Sequence, residues 1–178
     1  MKKYLSNNTV ILRAIEPEDI ELLYSWENDP EIWEVSHTLT PFSKYILALY
    51  IKNSDRDIYE SKQLRLMIDN PLGKTVGAID IFDFDPYHSR AGIGILIHDT
   101  KERSRGYATA ALDLLIPYCF NKLNIHQLYA NIESENKASR SLFEKHDFTI
   151  CGFKKEWLRS DEGFKDETMM QLIKVDKV

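Results

Sequence analysis

The sequence predicts a mixed α/β domain, and three features of its apolar pattern indicate this fold class. Three short apolar segments, separated by turn residues, follow one another between residues 63 and 98. From Gly106 onward the apolar spacing changes to that of a helix, and strand and helix patterns then alternate. Strands bury alternate side chains and helices bury every third or fourth, so the two periods identify the two elements. The 178 residues contain no linker, repeat or low-complexity tract, so we expect one domain over residues 1–178.

The N-terminal part predicts one strand followed by two helices. Residues 9–15 are apolar and rich in β-branched side chains, a composition typical of a strand. A helix is expected to begin at residues 16–19. A proline in the first turn has no N–H to lose there, and acidic side chains favour the positive end of the helix dipole. Residues 28–30 read Asn-Asp-Pro and are expected to end this helix. A second helix is predicted over residues 43–53, after Pro41.

The centre of the chain predicts three consecutive strands and then a helix. The strands cover residues 63–69, 75–84 and 90–98. Residues 70–74 have turn composition, so the first two strands form a β-hairpin. In the helix that follows Gly106, Pro117 predicts a kink or the loss of one hydrogen bond.

The C-terminal part predicts a strand, a helix and a closing hairpin. These elements cover residues 125–133, 136–145, 148–158 and 167–175, with a hairpin turn at 161–163. The complete order is β-αα-βββ-α-β-α-ββ, which is a mixed α/β sheet.

Composition and charge exclude several classes of function. The formal net charge is −5 and the 23 basic residues form no cluster, so a nucleic-acid backbone is not an expected partner. A mildly acidic chain suits a cationic acceptor, although a charge of this size also serves solubility alone. The five histidines and two cysteines lack the spacing of a metal site, so no metal is expected.

The cysteines and the apolar pattern also predict the cellular compartment of the protein. Cys119 and Cys151 lie far apart and form no CxxC pair, which is typical of free thiols in a reducing compartment. The two lysines near the N-terminus are followed by no apolar run, so no signal peptide is expected. No stretch approaches the length needed to span a bilayer. We therefore expect a cytoplasmic protein with no membrane partner.

The most informative segment lies between the third central strand and the long helix. It reads Arg103-Ser104-Arg105-Gly106-Tyr107-Ala108-Thr109. Free N–H groups at a helix start, together with the helix dipole, bind phosphate oxygens. Gly106 lets the backbone come close to such a ligand, and Arg103 and Arg105 add positive charge. The alternative is an ordinary helix start with exposed arginines.

This segment resembles the pyrophosphate loop of the GNAT superfamily of N-acetyltransferases, Q/R-x-x-G-x-G/A. A second match, at residues 136–148, is similar to the family's N-x-x-S-x-x-L-Y-E-K-x-G-F. Residues 12–19 and 26–30 resemble the opening of the ribosomal-protein N-terminal acetyltransferases and spermidine acetyltransferases, and residues 161–166 resemble their closing hairpin. The resemblance therefore spans nearly the whole chain, in the family's order and spacing.

The resemblance implies a central, mostly antiparallel, twisted sheet of about seven strands with helices on both faces. Its fourth and fifth strands would splay apart where a bulge interrupts their pairing. It also implies acetyl-CoA as co-substrate, with an N–H of the fourth strand facing the thioester oxygen. The cofactor-binding residues would be Ile95, Leu96 and Ile97 for pantetheine, Arg103, Ser104, Arg105, Gly106, Tyr107, Ala108 and Thr109 for pyrophosphate, and Asn136, Ser139 and Phe143 on the other side. Asn136 also reads as a helix N-cap, and it could serve both purposes.

The chain departs from the family at both usual proton-transfer positions. Many relatives carry Glu where this chain has Gly92, and Tyr where it has Phe143. Asp80 and Asp83, on the preceding strand, are the candidate catalytic replacements, because general base catalysis requires a group that can accept the amine's proton. Residues 80 and 83 face opposite sides of a regular strand, so at most one would point into the cleft unless a bulge intervenes. Either could instead face solvent or satisfy a backbone group.

The expected function is acetyl transfer to a primary amine, either of a polyamine-like small molecule or of a peptide or protein N-terminus. Asp29, Glu31 and Glu34 offer negative charge to a cationic acceptor. The alternative is a non-catalytic acetyl-CoA-binding regulatory module. A nucleotide-binding α/β domain would need a glycine-rich loop after the first strand, and the sequence has none there. We also expect a homo-oligomer, with a dimer as the first expectation.

Overall fold

One seven-stranded sheet organises the protein in the computed structural model, which describes residues 5–36, 38–54, 56–160 and 162–175. The strand order is β1-β2-β3-β4-β5-β7-β6, and every neighbouring pair is antiparallel except β4 with β5. The strands are β1 (Ile11–Arg13), β2 (Leu64–Asp69), β3 (Thr75–Asp85), β4 (Arg90–Ile97), β5 (Gln127–Glu133), β6 (Thr149–Ser160) and β7 (Gly163–Ile173). The expected mixed α/β, mostly antiparallel sheet is confirmed.

Six α-helices accompany the sheet in the described part of the chain. They are α1 (Ile20–Glu27), α2 (Pro30–Ser36), α3 (Lys44–Lys52), α4 (Ile58–Ser61), α5 (Tyr107–Asn121) and α6 (Lys137–Glu144). α1 ends before residues 28–30, as predicted, but Pro30 also begins the unpredicted α2, because proline is well tolerated in a first helical turn. The four-residue α4 was likewise not predicted.

The sheet buries a core on each face. On one face α5 packs against the central strands, and Leu112, Leu115, Ile79 and Leu128 are fully buried there. On the other face α1 and α3 contribute to a second cluster, which includes Leu23 and Leu47 with Met67 and Ala78 of the sheet. Helices therefore cover both faces, as the resemblance implied.

The element boundaries differ from prediction mainly at the sheet's ends. β1 is shorter than predicted because Thr9 and Val10 turn, with both N–H groups bonded to Oδ1 of Asn7 at 2.9 and 2.8 Å. β7 begins earlier than predicted because Gly163 already pairs with Ser160 of β6. Of the predicted hairpin turn at 161–163, residue 161 lies outside the described residues.

β4 and β5 separate after a short parallel contact. Their pairing covers only residues 90–92 of β4 and 127–129 of β5, and beyond Gly92 the strands part. The expected splay is therefore present. The bulge beside it lies in β3, between Phe82 and Asp85, where Asp83 adopts a left-handed φ of 48°. The splay leaves one edge of β4 unpaired in the middle of the sheet.

Candidate active site

A cleft of about 260 Å³ opens where β4 and β5 part. It contains six of the residues singled out from the sequence, namely Asp80, Ile95, Leu96, Asn136, Ser139 and Phe143. It is also lined by Trp26, Glu27, Ile32, Arg65, Ala78, Ile93, Gly94, Ala130, Asn131, Ile132, Glu133 and Glu167. Residues from β2, β3, β4, β5, β7, α1, α2 and α6, and the loop before α6, thus meet at one place.

The free edge of β4 presents backbone groups to this cleft. The N–H of His98 donates to the carbonyl of Val76 at 3.0 Å, which fixes the even-numbered residues of β4 as those bonded toward β3. Strand alternation then turns the N–H and C=O groups of Ile93 and Ile95 toward the open edge. Leu96 also lines the cleft, although its backbone groups bond toward β3. An extended ligand can add to this edge as a strand does.

The segment at residues 103–109 has the backbone geometry of an anion site. Gly106 has a φ of 82°, a left-handed conformation that only glycine adopts without strain. Among the described residues, no acceptor is found for the N–H groups of residues 104–109, which lie at the start of the 15-residue helix α5. Such groups, at the positive end of a helix, fit phosphate oxygens. This loop lies outside the 260 Å³ cleft.

The arginines of this loop also bond to the protein itself. Nε of Arg103 donates to the carbonyl of Ile97 at 3.0 Å, at the end of β4. Nε of Arg105 donates to the carbonyl of Lys101 at 3.2 Å, and its guanidinium lies 3.6 Å from Glu102. Arg103 therefore braces the loop against β4 in addition to placing charge beside it.

The start of α6 brings three predicted residues to the other side of the cleft. Oδ1 of Asn136 accepts from the N–H of Ser139 at 3.0 Å, so the N-cap expectation is confirmed. Phe143 is buried and packs edge-to-face on Phe148, with ring centroids 5.0 Å apart. This wall is apolar where many relatives have a hydroxyl group.

Asp80 lines the cleft as one member of a charged triad. Arg65 donates to both carboxylate oxygens of Asp80, at 2.7 and 3.1 Å, and to Glu27 at 2.6 Å. Burial lowers the pKa of Arg65, but the charge and hydrogen bonds of Asp80, with Tyr50 and Glu27, outweigh it and raise that pKa above its usual range. The guanidinium therefore stays charged and holds both carboxylates in place.

Asp83 occupies the bulge of β3 and does not line the cleft. Its exposed carboxylate accepts a hydrogen bond from the hydroxyl of Tyr129 at 2.9 Å. Burial, followed by the hydrogen bond and charge of Asp83, raises the pKa of Tyr129 to about 12. Only Asp80 of the two candidates therefore faces the cleft.

Two further carboxylates of the cleft escaped the sequence analysis. Glu133 lies 3.0 Å from Nζ of Lys165, and Glu167 lies 2.6 Å from Nζ of Lys154. Together with Glu27 and Asp80 they make four acidic residues around one opening. In the sequence each residue stands at one end of a predicted strand, 125–133 or 167–175, and only the pairing of Glu133 with Glu167 between β5 and β7 brings them together.

Comparison with known proteins now decides the family. Residues 9–149 match the family model described as acetyltransferase (GNAT) domain. The chain belongs to the GNAT family. It is therefore an N-acetyltransferase that uses acetyl-CoA, and the comparisons give no support to a non-catalytic module.

Several relatives of this GNAT enzyme carry more specific names. The spermidine N(1)-acetyltransferase of Escherichia coli (strain K12) is 25% identical over 149 residues, covering 83% of this chain and 76% of that protein. An N-acetyltransferase 9-like protein of Nematostella vectensis is 26% identical over 172 residues, covering 93% and 83% of the two chains. The structure of spermidine N-acetyltransferase from Vibrio cholerae in complex with CoA and spermine superposes with a TM-score of 0.83 at 21% identity, covering 94% and 96%.

Gly92 distinguishes this GNAT enzyme from relatives with Glu in the fourth strand. A Cβ atom at position 92 would collide with three atoms of the Phe82 ring. The place of the missing side chain is thus filled by an aromatic ring from the neighbouring strand. In the described ranges, no group of three or more His, Cys, Asp or Glu side chains is placed to hold a metal ion, and no helix is long and apolar enough to cross a membrane.

Proposed function

We propose that this GNAT enzyme acetylates a primary amine of a small polycation of the polyamine type. The observation that carries the proposal is the charge of the cleft, where four carboxylates surround one opening. Three cations pair with these carboxylates: Arg65, which lines the cleft, bonds to Asp80 and Glu27, while Lys154 and Lys165 pair with Glu167 and Glu133, so the cleft keeps one excess negative charge. Unlike charges a few ångströms apart attract strongly in a partly desolvated cleft. The names of the Escherichia coli and Vibrio cholerae relatives support the same class of acceptor.

The residues around the cleft fit acetyl-CoA in a defined order. The free N–H groups of residues 104–109 would hold the diphosphate. The open edge of β4 at Ile95 would pair with the pantetheine arm, and Asn136 and Ser139 would contact it from α6. The N–H of Ile93, the first residue beyond the β4–β5 contact, would donate to the thioester oxygen. Such a fixed donor stabilises the negative charge that develops as the amine attacks.

Asp80 is the proposed acceptor of the amine's proton, because it lines the cleft and Asp83 does not. A carboxylate has about four lone-pair sites, so two bonds from Arg65 leave capacity for a proton delivered directly or through water. Removal of that proton lets the nitrogen lone pair form the new C–N bond while the C–S bond breaks. Phe143 has no acidic proton to donate, so water would protonate the leaving thiolate.

An acceptor screen that detects thiol release tests the proposal. Spermidine, spermine and a peptide with a free N-terminus would each be offered with acetyl-CoA at matched concentrations. We expect the two polyamines to be acetylated with a kcat/KM at least ten times that of the peptide, since the excess negative charge of the cleft attracts a polycation more strongly than a singly charged N-terminus. Preference for the peptide, or no thiol release with any polyamine, would refute the assignment.

We also propose that the enzyme works as a homo-oligomer. Three large aromatic residues of the β6–β7 hairpin are more than half exposed: Phe153 at 65%, Trp157 at 61% and Phe164 at 65%. Exposed apolar surface of this kind is typical of an interface. One structural neighbour, a spermidine N-acetyltransferase from Vibrio cholerae, is described as dodecameric, so assemblies larger than the expected dimer belong to the test. Light scattering coupled to size exclusion would measure the mass.

A further inference from the structure

Gly92 has a partner in the structure that compensates for its missing side chain. Phe82 pairs with Gly92 across β3 and β4, and its ring occupies the space that a Cβ at position 92 would need. The ring also reaches toward Gly94, where a Cβ would lie 3.7 Å from it. Two glycines on one face of β4 thus lie beside a single aromatic ring.

Tyr129 holds this ring from the other side. Its ring meets that of Phe82 edge-to-face at 5.8 Å with an interplanar angle of 88°. Its hydroxyl donates to Asp83 at 2.9 Å, in the bulge of β3. Tyr129 belongs to β5 and pairs with Gly92, so its side chain crosses β4 to reach β3. Phe82, Gly92, Tyr129 and Asp83 therefore form a clasp across three strands, and glycine at position 92 leaves the space for it.

The clasp lies at the end of the cleft where the reaction takes place. Gly94 and Asp80, which pair with each other, line the cleft, and the Phe82 ring lies next to Gly94, just outside the lining residues. Gly92 is the last residue of β4 paired with β5, and Ile93 begins the free edge. The acceptor nitrogen would approach the acyl carbon beside Ile93, which follows Gly92 and the ring that covers it, so the carbon attached to that nitrogen would come near Phe82.

From this geometry we propose that Phe82 is a specificity-determining residue that restricts the acceptor to amines unbranched at the carbon next to nitrogen. The inference rests on the proposed amine acetylation. A methyl group on that carbon would meet the Phe82 ring, which packs edge-to-face on Tyr129, and the hydroxyl of Tyr129 is in turn bonded to Asp83. Polyamine ends are unbranched CH₂–NH₂ groups and would fit beside the ring. Most peptide N-termini carry a side chain at that carbon and would collide with the ring.

The experiment compares two diamines that differ only in branching. These are 1,4-diaminobutane and 2,5-diaminohexane, which has a methyl group beside each nitrogen and the same four-carbon spacing. A single misplaced methylene in a tight pocket changes kcat/KM by about 10–200-fold. We expect the wild-type enzyme to prefer the unbranched diamine by at least about ten-fold. We expect Phe82→Ala to reduce that ratio to below about three-fold.

Two further variants test whether Phe82 restricts the acceptor directly or only supports the fold. Phe82→Leu keeps an apolar core but loses the ring, so its ratio should lie between those of the wild type and Phe82→Ala even if the alanine variant folds poorly. Tyr129→Phe removes the hydroxyl bond to Asp83 and should lower the ratio without removing the ring. Leu72→Ala, at an apolar residue 92% exposed in the turn between β2 and β3, is the control and should leave the ratio unchanged.

The outcomes distinguish this inference from the proposed function. If the wild-type enzyme acetylates spermidine but treats both diamines alike, the restriction by Phe82 is refuted and the acetylation stands. If folded Phe82→Ala and Phe82→Leu both retain the wild-type ratio, Phe82 is likewise not the determinant. If no amine of any kind releases thiol, the proposed function fails, and this inference fails with it.

Discussion

Replacement of Asp80 by Asn tests the proposed proton acceptor. The carboxylate of Asp80 accepts from Arg65 at 2.7 and 3.1 Å and lines the cleft. Asparagine has nearly the same shape and can keep one bond to Arg65, but it cannot take up a proton. General base catalysis contributes roughly 10²–10⁴-fold, so we expect kcat to fall at least about 100-fold. A 100-fold loss corresponds to about 2.7 kcal/mol of transition-state free energy.

The same substitution also weakens the triad, and that effect needs its own control. Arg65 retains Glu27 at 2.6 Å, so only part of its charge is left unmatched. A lost charged hydrogen bond costs about 1.5–3 kcal/mol, and each kcal/mol lowers the melting temperature of a chain of this size by roughly 2–4 °C. Asp69→Asn is the matched control, because Asp69 accepts from Nε of Arg13 at 2.7 Å and does not line the cleft.

The assay combines thiol-release kinetics over a range of pH with calorimetry for CoA. We expect Asp80→Asn to lose rate, to alter the pH profile and to keep its CoA affinity. Asp69→Asn should lower the melting temperature and keep kcat. Full rate for Asp80→Asn across the pH range would refute the assignment. If Asp83→Asn also kept full rate, catalysis would depend on an amine bound already neutral, on positioning and on the N–H of Ile93.

Three further predictions follow from other parts of the structure. Gly106→Val should weaken CoA binding at least ten-fold, because a β-branched residue is strained at a φ of 82° and crowds the approach of phosphate; unchanged affinity by calorimetry would refute the site. Phe143→Tyr should leave kcat similar or higher, and lost activity with intact CoA binding would show that α6 is misaligned with the family. The hydrogen bond from Arg13 lowers the pKa of Asp19, and this effect outweighs burial, which would raise that pKa. The ion pair therefore stabilises the fold fully at pH values above the ordinary pKa of aspartate. Its contribution should disappear as pH falls through the lowered pKa, and Asp19→Asn should flatten the acid side of the stability curve measured by urea unfolding.

All seven strands could be predicted from local patterns, because each buries side chains with its own short period. The splay of β4 from β5 came from the family resemblance rather than from periodicity. The short helices α2 and α4 were missed, since seven or four residues give too little periodicity to identify a helix.

The charged triad could not be predicted because its members come from three separate elements. Glu27 ends α1, Arg65 lies on β2 and Asp80 on β3, and only the strand register brings them together. The clasp over Gly92 was missed for the same reason. The sequence showed that a side chain was absent at position 92, but only the cross-strand pairing shows that Phe82 fills its place.

The hydrogen bond from Arg103 to the end of β4 fixes the distance between the anion-binding loop and the strand that would hold the thioester. The covalent structure of CoA sets the distance between its diphosphate and its sulfur, so the protein must hold its anion loop and its reactive strand the same distance apart. Arg103 ties these two elements directly, through the carbonyl of Ile97. Loss of this tie should therefore matter most for intact CoA, which spans both elements, and least for a pantetheine fragment that touches only β4. Arg103 therefore selects for the length of the co-substrate in addition to attracting its negative charge.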